Sequence, residues 1–284
     1  VEAFKETRRD IFLSRGSTIP DFLGLSGATV YANLGKMKNI GMDLSIDYNK
    51  QVNKDLFLSF KGTFTYAHNE VLKYDEAAGL RPALSQVGKS LNSIWGYVAD
   101  GLYIDEADIA NNPQSTIGNI AIAPGDVKYV DQPDASGNYD GKITSDDRMV
   151  LGYPTIPEIR YGFGPSITWK NWDFSFFFQG QARVSFMMSG FEPFGTQSKN
   201  NVLKWISDDH WSKDNQNPNA RYPRLTQYNN NNNTASSSYW LRNASFLKLR
   251  NLLVAYTFPK SQTRFADLQV FVQGTNLFSL DNIH

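Results

Sequence analysis

Residues 172–188 read WDFSFFFQGQARVSFMM, and this segment indicates its own secondary structure more directly than any other part of the chain. Its even positions are apolar or small, and most of its odd positions are polar or charged. Because successive side chains of a strand point to opposite faces of a sheet, this alternation predicts a β-strand. At about 3.3 Å per residue such a strand would be roughly 55 Å long. Few strands of soluble sandwiches are so long.

The same period of two recurs in pairs of segments joined by short turns, which is typical of β-hairpins. The paired segments are 40–48 with 56–66, 161–169 with 172–188, and 252–258 with 268–272. Residues 1–13 predict one further strand. The sequence therefore predicts an all-β chain built from antiparallel strands.

Three long polar stretches separate the predicted hairpins, at about 14–38, 68–159 and 189–245. Within the last of them, 229–238 holds a run of asparagines followed closely by three serines. Runs of this composition are typical of disordered loop tips. We expect 229–238 to be such a tip.

Two architectures explain the alternation, a membrane β-barrel and a soluble β-sandwich. The apolar register carries no charge although 20% of the chain is charged, and both architectures account for that. Aromatic residues near the short turns favour the barrel, because aromatic girdles lie where barrel strands leave the lipid: Tyr48, Trp169, Trp172, Tyr256 and Phe258. A barrel would leave Phe174, Phe176 and Val184 uncovered by protein, whereas a sandwich would bury them.

Composition excludes several classes of protein and site. Lys+Arg 28 balance Asp+Glu 28, so the chain lacks the basic character that nucleic-acid binding requires. With no cysteine there is no disulfide and no thiolate site. His68, His210 and His284 are too scattered to suggest a metal triad. No run approaches the length of a membrane helix, which is about 18 apolar residues.

Eight motifs in a fixed order carry a resemblance to a known family. They are NLGKMKNIGMD at 33–43, GYVADGLY at 96–103, GDVKY at 125–129, DDRMVLG at 146–152, YGF at 161–163, FFFQG at 176–180, NASFLKLRN at 243–251 and GTNLF at 274–278. In this order they resemble the C-terminal part of SusC/RagA-like TonB-dependent transporters of Bacteroidetes outer membranes. Any one of the motifs alone would be a weak signal.

The resemblance implies a large antiparallel transmembrane β-barrel, 22-stranded in the family, with long extracellular loops. It implies that 1–284 is the C-terminal segment of the barrel, without the plug domain, the early strands and the closing strand. The expected function is outer-membrane import of oligosaccharides, or of peptides, by a multi-pass barrel of a Gram-negative bacterium. The implied partners are a SusD-like surface lipoprotein, TonB through the absent N-terminal part, and outer-membrane lipid. The alternative remains a soluble β-sandwich module for carbohydrate binding or adhesion.

The candidate substrate-binding residues form two groups. The first lies in the long loop 189–245, where flat aromatic rings beside polar groups could stack on sugars or peptides: Trp205, Trp211, Arg221 and Tyr222, with Tyr228, Tyr239 and Trp240 nearby. The second lies on the polar register, where Asp173 and Arg183, with Gln179 and Gln181, could line the substrate path. The alternatives are aromatic packing within the loop or at a protein interface, and contacts of the polar register with a plug.

Residues 131–147 resemble an EF-hand calcium loop, with oxygen-bearing side chains at alternate positions followed by a glycine. The candidate ligands are Asp131, Asn138, Asp140, the Lys142 carbonyl and Asp147. Asp131 reaches the first ligand position only if 132–137 bulge outward. The alternative is a hydrated turn held by Asp and Asn side chains.

No catalytic motif stands out in the sequence. The adjacent carboxylates Asp105/Glu106 and Asp208/Asp209 seldom adopt the geometry in which two acids flank a glycosidic bond. A glycine-rich phosphate loop and a Gly-x-Ser-x-Gly elbow are both missing. We therefore expect no enzymatic activity and no cofactor other than calcium in 131–147.

Overall fold

The computed structural model of the chain describes residues 1–15, 30–77, 79–188, 202–227 and 229–283. Much of the predicted loop at 14–38, the part of the loop at 189–201, Tyr228 and His284 lie outside these residues.

Long strands and short elements alternate along the chain. The strands are β1 Glu2–Ser14, β2 Tyr31–Asn53, β3 Leu56–Lys73, β4 Ile94–Gly96, β5 Ala99–Leu102, β6 Gln114–Ser115, β7 Val127–Tyr129, β8 Lys142–Ile143, β9 Met149–Leu151, β10 Ile159–Trp169, β11 Trp172–Ala182, β12 Ser185–Met187, β13 Leu241–Phe258 and β14 Leu268–Asn282. The helices are α1 Glu106–Asn111, α2 Lys204–Asp208, α3 Asn231–Thr234 and α4 Lys260–Thr263. Of the helices in the described ranges, none has the length and apolar character needed to cross a bilayer.

The long strands form one antiparallel 8-stranded sheet in the order β1-β2-β3-β10-β11-β13, with β12 and β14 both paired to β13. Its three main hairpins are those that the alternation predicts: β2 with β3, β10 with β11, and β13 with β14. The predicted all-β antiparallel fold is therefore confirmed. Within the described residues β1 and β14 each pair on one side, so the sheet is open rather than a closed barrel.

The two faces of the sheet differ in chemistry. The apolar face carries the uncharged register, and no second sheet covers it in the described structure: Ile46 is 47% exposed and Val272 is 73% exposed. Phe174 and Phe176 are half-buried. Val184 is buried, so the expectation that a barrel leaves it uncovered is wrong for this residue, which lies beyond the end of β11. Both clusters of buried apolar residues lie in the loops instead. A soluble sandwich would bury this face, so the observed burial argues against that alternative.

The single strand predicted over 172–188 is interrupted. β11 ends at Ala182 and β12 begins at Ser185, because Arg183 adopts a left-handed backbone with φ 53° that breaks the alternation. The strands also extend further into the predicted loops than the apolar pattern suggests. β2 begins at Tyr31 and β3 continues to Lys73. Backbone hydrogen bonds between the strands continue in these extensions, although the side chains on one face of the sheet are no longer apolar there.

Residues 94–151 and 202–240 pack together as one unit, which we call the loop body. Its larger core contains Tyr97, Leu102, Val127, Tyr129, Ile143, Trp211 and Ala220. Backbone hydrogen bonds connect the two segments: the Leu102 amide donates to the Pro218 carbonyl at 2.9 Å, and the Tyr97 amide donates to the Ser236 carbonyl at 2.9 Å. Residues 94–151 and the described residues of 202–240 therefore form one folded module.

The prediction of a disordered tip at 229–238 is wrong. Residues Asn231–Thr234 form α3, and Asn230, Asn232 and Asn233 are fully buried. Their side chains hydrogen-bond to Asp126 and to the backbone of Val127. Residues distant in the sequence hydrogen-bond to these side-chain amides. The segment is therefore buried although its composition is polar.

Candidate functional site

A cavity of about 310 Å³ opens on the polar face of the sheet, near the loop body. Its lining includes two acids, two bases and three amides: Glu6, Arg8, Asn39, Asn69, Asn92, Glu158 and Arg160. Strands β1, β2, β3 and β10 position these side chains, because their registers place Glu6 opposite Asn39 and Arg160 opposite Thr65. None of these residues was predicted from the sequence, although pairing β1 with the polar register of β2 would have indicated Glu6 and Arg8.

Glu158 is the most buried charge at this cavity. Its carboxylate accepts a hydrogen bond from the Arg183 guanidinium, with Nε and Oε2 2.6 Å apart, and lies within hydrogen-bond distance of His68 Nδ1. The guanidinium also lies over the rings of Tyr66 and Tyr153. A buried carboxylate requires such partners. Arg183 thus neutralises Glu158 at the rim of the sheet, and its positive φ turns it away from the register of the polar face.

The predicted lumen residues do not form one site. Asp173 lies beside the short β10–β11 turn, where its Oδ1 accepts a hydrogen bond from Thr168 at 2.7 Å. Asp173 and Arg183 are separated by roughly 33 Å of strand at about 3.3 Å per residue. Gln179 and Gln181 lie between them and bond to Arg250 and to the Ala244 carbonyl. Any path along this face would meet these groups one after another.

Two of the loop aromatics are core residues, which corrects their expected role in stacking on cargo. Tyr222 is fully buried and packs against Trp205 and Trp240, with ring centroids 5.4 and 6.1 Å away. Trp211 is buried in the larger core of the loop body. Since protein covers both rings, neither offers a free face to a sugar or a peptide. Trp205, which is 43% exposed, keeps an accessible surface.

Arg221 lies beside Tyr222 in the loop body. Burial raises the pKa of Tyr222, and the nearby charges of Arg221 and Arg242 oppose that rise. The Tyr222 hydroxyl and the Arg221 Nε are buried without a hydrogen-bond partner among the described atoms. Arg221 thus lies next to a buried ring, against which the partly exposed Trp205 packs.

The centre of the loop body is polar and was not predicted. Asp126 is fully buried, and its Oδ1 accepts hydrogen bonds from Arg224 at 2.7 Å, Asn233 at 2.9 Å and Asn230 at 3.1 Å. Its Oδ2 accepts from the Ala123 amide and from Arg224. This cluster ties the two loop segments together and fixes their relative position.

The predicted calcium ligands lie at one edge of the loop body. Asp147 is buried and capped by backbone amides, and Arg81 approaches both Asp147 and Asp140. Across the described ranges no three His, Asp or Glu side chains are arranged to share a metal ion. Calcium binding by this segment remains a prediction.

A sheet of long antiparallel strands with one uncovered apolar face and one polar face defines the wall of a membrane β-barrel. No family model matches the chain. The chain is similar to the TonB-dependent receptor P3 of Formosa agariphila, with 24% identity over 92% of this chain and 26% of that protein. It is similar also to the TonB-dependent receptor SusC of Bacteroides thetaiotaomicron, with 25% identity over 83% of this chain and 22% of SusC.

Solved structures give the same result for the fold. A structure of the RagAB peptide transporter superposes with a TM-score of 0.66 and 22% identity, covering 98% of this chain and 29% of that one. A structure of the RagAB peptide importer in its closed-closed state gives a TM-score of 0.65. These similarities confirm the resemblance that the motifs indicated. The chain spans about a quarter of the length of the curated relatives it matches.

Proposed function

We propose that this chain forms part of the wall and outer loops of a TonB-dependent outer-membrane transporter that imports oligosaccharides or peptides. The observation that carries the proposal is the distribution of burial. The apolar face of the sheet is uncovered, whereas the buried cores lie in the loops. Lipid is the environment that satisfies such a face, because the ladder already satisfies the backbone groups within the sheet.

The proposed location is the outer membrane of a Gram-negative bacterium. Aromatic residues near the short turns support it, since Trp169 and Trp172 pair across the β10–β11 turn and Tyr256 pairs with Trp172. Rings at this level suit the boundary between lipid and water. The short turns would then face the periplasm and the loop body the outside.

The proposed cargo path follows the polar face. The cavity lined by Glu6, Arg8, Glu158 and Arg160 offers charges of both signs and amide side chains. Charged termini of peptides and hydroxyls of sugars can both bind to such groups. The RagAB structures are named for peptides, and this supports peptides as one class of cargo. The residues of the wall are proposed to bind and guide cargo rather than to catalyse a reaction.

The proposed partners are a SusD-like surface lipoprotein at the loops and TonB through other parts of the transporter. Exposed apolar side chains on the outer loops support a protein partner there, among them Leu91 at 54%, Ile156 at 50% and Tyr139 at 67% exposure. Aromatic and aliphatic side chains of this kind are enriched in interface centres.

Cysteine labelling in whole cells tests the topology, because the chain has no cysteine of its own. We expect Tyr139→Cys, in the loop body, to react with a membrane-impermeant maleimide on intact cells. Lys54→Cys, in the β2–β3 turn, should react only after the outer membrane is permeabilised. Val272→Cys should react only with a lipid-soluble reagent. Labelling of all three positions by the impermeant reagent on intact cells would overturn the proposal.

Uptake measurements test the cargo. A strain that lacks the protein should lose uptake of either labelled oligosaccharides or labelled peptides, and the intact gene should restore it. Arg160→Gln should reduce that uptake, while Lys54→Gln, at the opposite end of the sheet, serves as the matched control. Unchanged uptake of both classes in the deletion strain would contradict a role in nutrient import.

A further inference from the structure

A second cavity, of about 290 Å³, lies on the polar face of the sheet between β13 and β14. We call it the basic pocket, because its lining combines two cationic side chains with one hydroxyl and two amides: Lys248, Arg250, Asn251, Thr275 and Asn276. No carboxylate is among these lining residues. The basic pocket shares no lining residue with the cavity beside Glu158.

An irregularity of the backbone produces the basic pocket. Leu249 and Asn251 have pairing partners on both β11 and β14, whereas Arg250 between them has none on either strand. At the same level of β14, Asn276 and Leu277 are unpaired in the ladder with β13, and Asn276 has a left-handed backbone with φ 51°. A β-bulge bends its strand and redirects a side chain. The bulge at Arg250 therefore interrupts an otherwise regular sheet surface.

The two cations of the basic pocket have no acidic partner within the described residues. The Arg250 guanidinium is exposed and donates from Nη1 to Gln179 Oε1 on β11. The Lys248 ammonium lies 5.5 Å from the centre of the Phe246 ring. A guanidinium has five N–H donors and an ammonium has three. Most of the donors in the basic pocket are therefore available to a ligand.

The acids on the surrounding strands lie too far along the sheet to neutralise the basic pocket. Asp281 of β14 is paired with Phe246, two residues along β13 from Lys248. Asp173 lies six residues before Gln179 on β11, or about 20 Å along the strand. The basic pocket therefore presents two positive charges to the polar side of the sheet.

A third cation lies on the same face. Arg160 lines the neighbouring cavity, where both acids are paired with other arginines while Arg160 has no ion pair in the described ranges. The registers place Arg160 opposite Gln181 and Lys248 opposite Gln179. Two strand spacings across and two residues along the sheet put the Cα atoms of Arg160 and Lys248 roughly 12 Å apart. The polar face therefore has neighbouring positive charges without acidic partners.

We propose that the basic pocket binds a carboxylate group of the cargo, and that the transporter therefore takes acidic cargo in preference to neutral cargo. This inference rests on the proposed function, because it requires cargo to move along the polar face. A guanidinium binds a carboxylate through two parallel hydrogen bonds, and an ammonium adds a compact positive charge. Arg250 and Lys248 supply these two groups, and Arg160 offers the next positive charge along the face.

Uptake by cells that carry the full-length transporter tests the inference with two matched pairs of labelled compounds. One pair is a glutamate-rich peptide and the same peptide with glutamine, and the other is an oligogalacturonate and a neutral oligogalactan. In the class that is imported, the acidic member should enter at least about threefold faster, the size expected for two exposed charge contacts. Lys248→Gln with Arg250→Gln should abolish this preference. Lys248→Arg, which keeps the charge, and Lys54→Gln, in the β2–β3 turn, are the controls that should retain it.

Calorimetric titration of the detergent-purified full-length transporter with the same compounds separates this inference from the proposed function, because binding needs no energised uptake. An acid preference in either measurement that the double variant loses supports the inference, and unchanged entry or binding of the neutral member shows that the variant is folded. Absence of an acid preference in both measurements, or a preference that the double variant retains, would overturn the inference. Equal uptake of acidic and neutral members would leave import standing, whereas acid-selective binding without uptake of any compound would contradict import alone.

Discussion

Replacing Asp126 by Asn should destabilise the loop body around β7 and α3 while leaving the sheet intact. The substitution keeps the shape of the side chain but removes its charge and replaces one acceptor oxygen by a donor. Oδ1 and Oδ2 of Asp126 accept from Arg224 at 2.7 and 3.0 Å, and from Asn230, Asn233 and the Ala123 amide. In the variant some of these donors would face an amide NH₂.

Removing one partner of a buried ion pair destabilises a protein by about 3–5 kcal/mol. The Arg224 side chain is 23% exposed and keeps some contact with water, which places the expected loss near the lower end, at about 3 kcal/mol. Because each 1.4 kcal/mol is a factor of ten, amide exchange by local opening should accelerate about a hundredfold.

Hydrogen exchange followed by mass spectrometry measures this loss segment by segment. Faster exchange should be confined to peptides that cover β7 and α3, where the Val127 amide donates to Asn233 Oδ1. Peptides from β10 and β11 should exchange as in the wild type. Asp214→Asn, at an exposed aspartate in the same loop body, is the control and should change stability by less than about 0.5 kcal/mol. Wild-type exchange of β7 and α3 in Asp126→Asn would refute the structural role of the cluster.

Three further predictions concern the sheet, a glycine and a tyrosine. Phe176→Lys, on the apolar face in the middle of β11, should lower barrel stability in urea by about 2–4 kcal/mol. Ser175→Lys, on the polar face, should have little effect. Equal effects of the two substitutions would contradict a lipid-facing sheet. Gly125→Ala should destabilise the loop body in thermal melts, because Gly125 has a φ of 89° and the new Cβ would lie 2.3 Å from the Trp211 ring. Gly137 has open space around it, so Gly137→Ala should lower the melting temperature far less. Burial raises the pKa of Tyr103 to about 12 from 10.0, with Asp108 and Asp126 acting in the same direction. The contribution of Tyr103 to stability should therefore be complete below pH 10 and fall as pH rises toward 12. The difference in tyrosinate absorbance between wild type and Tyr103→Phe measures this ionisation, and ionisation near pH 10 would contradict the prediction.

The long strands were predictable because their signal is local. Alternation along β11 indicates its polar and apolar faces directly. The short turn between Trp169 and Trp172 sets its pairing with β10 and limits the register. The break at Arg183 was not predictable in the same way. Its side chain turns to meet Glu158 and the tyrosines of other strands, and period two carries no information on that contact.

The loop body could not be predicted from the sequence, for a different physical reason. The side-chain amides of Asn230 and Asn233 donate to the carboxylate of Asp126, which is about a hundred positions away in the sequence. Composition describes the polarity of a segment but not whether distant partners satisfy it. The same ambiguity applies to Tyr222, since an aromatic ring suits a loop core and a sugar platform equally well.

Stability in this chain therefore comes from two separate sources. The sheet relies on its hydrogen-bonded ladder and on the environment of its uncovered apolar face, whereas the loop body has its own apolar cores and the polar cluster at Asp126. A module with its own core can present fixed side chains, such as the exposed edge of Trp205, without drawing on the sheet for support. Substitutions within the loop body should consequently leave the sheet folded. On the function proposed above, that separation would let one type of barrel wall carry loops of different specificity.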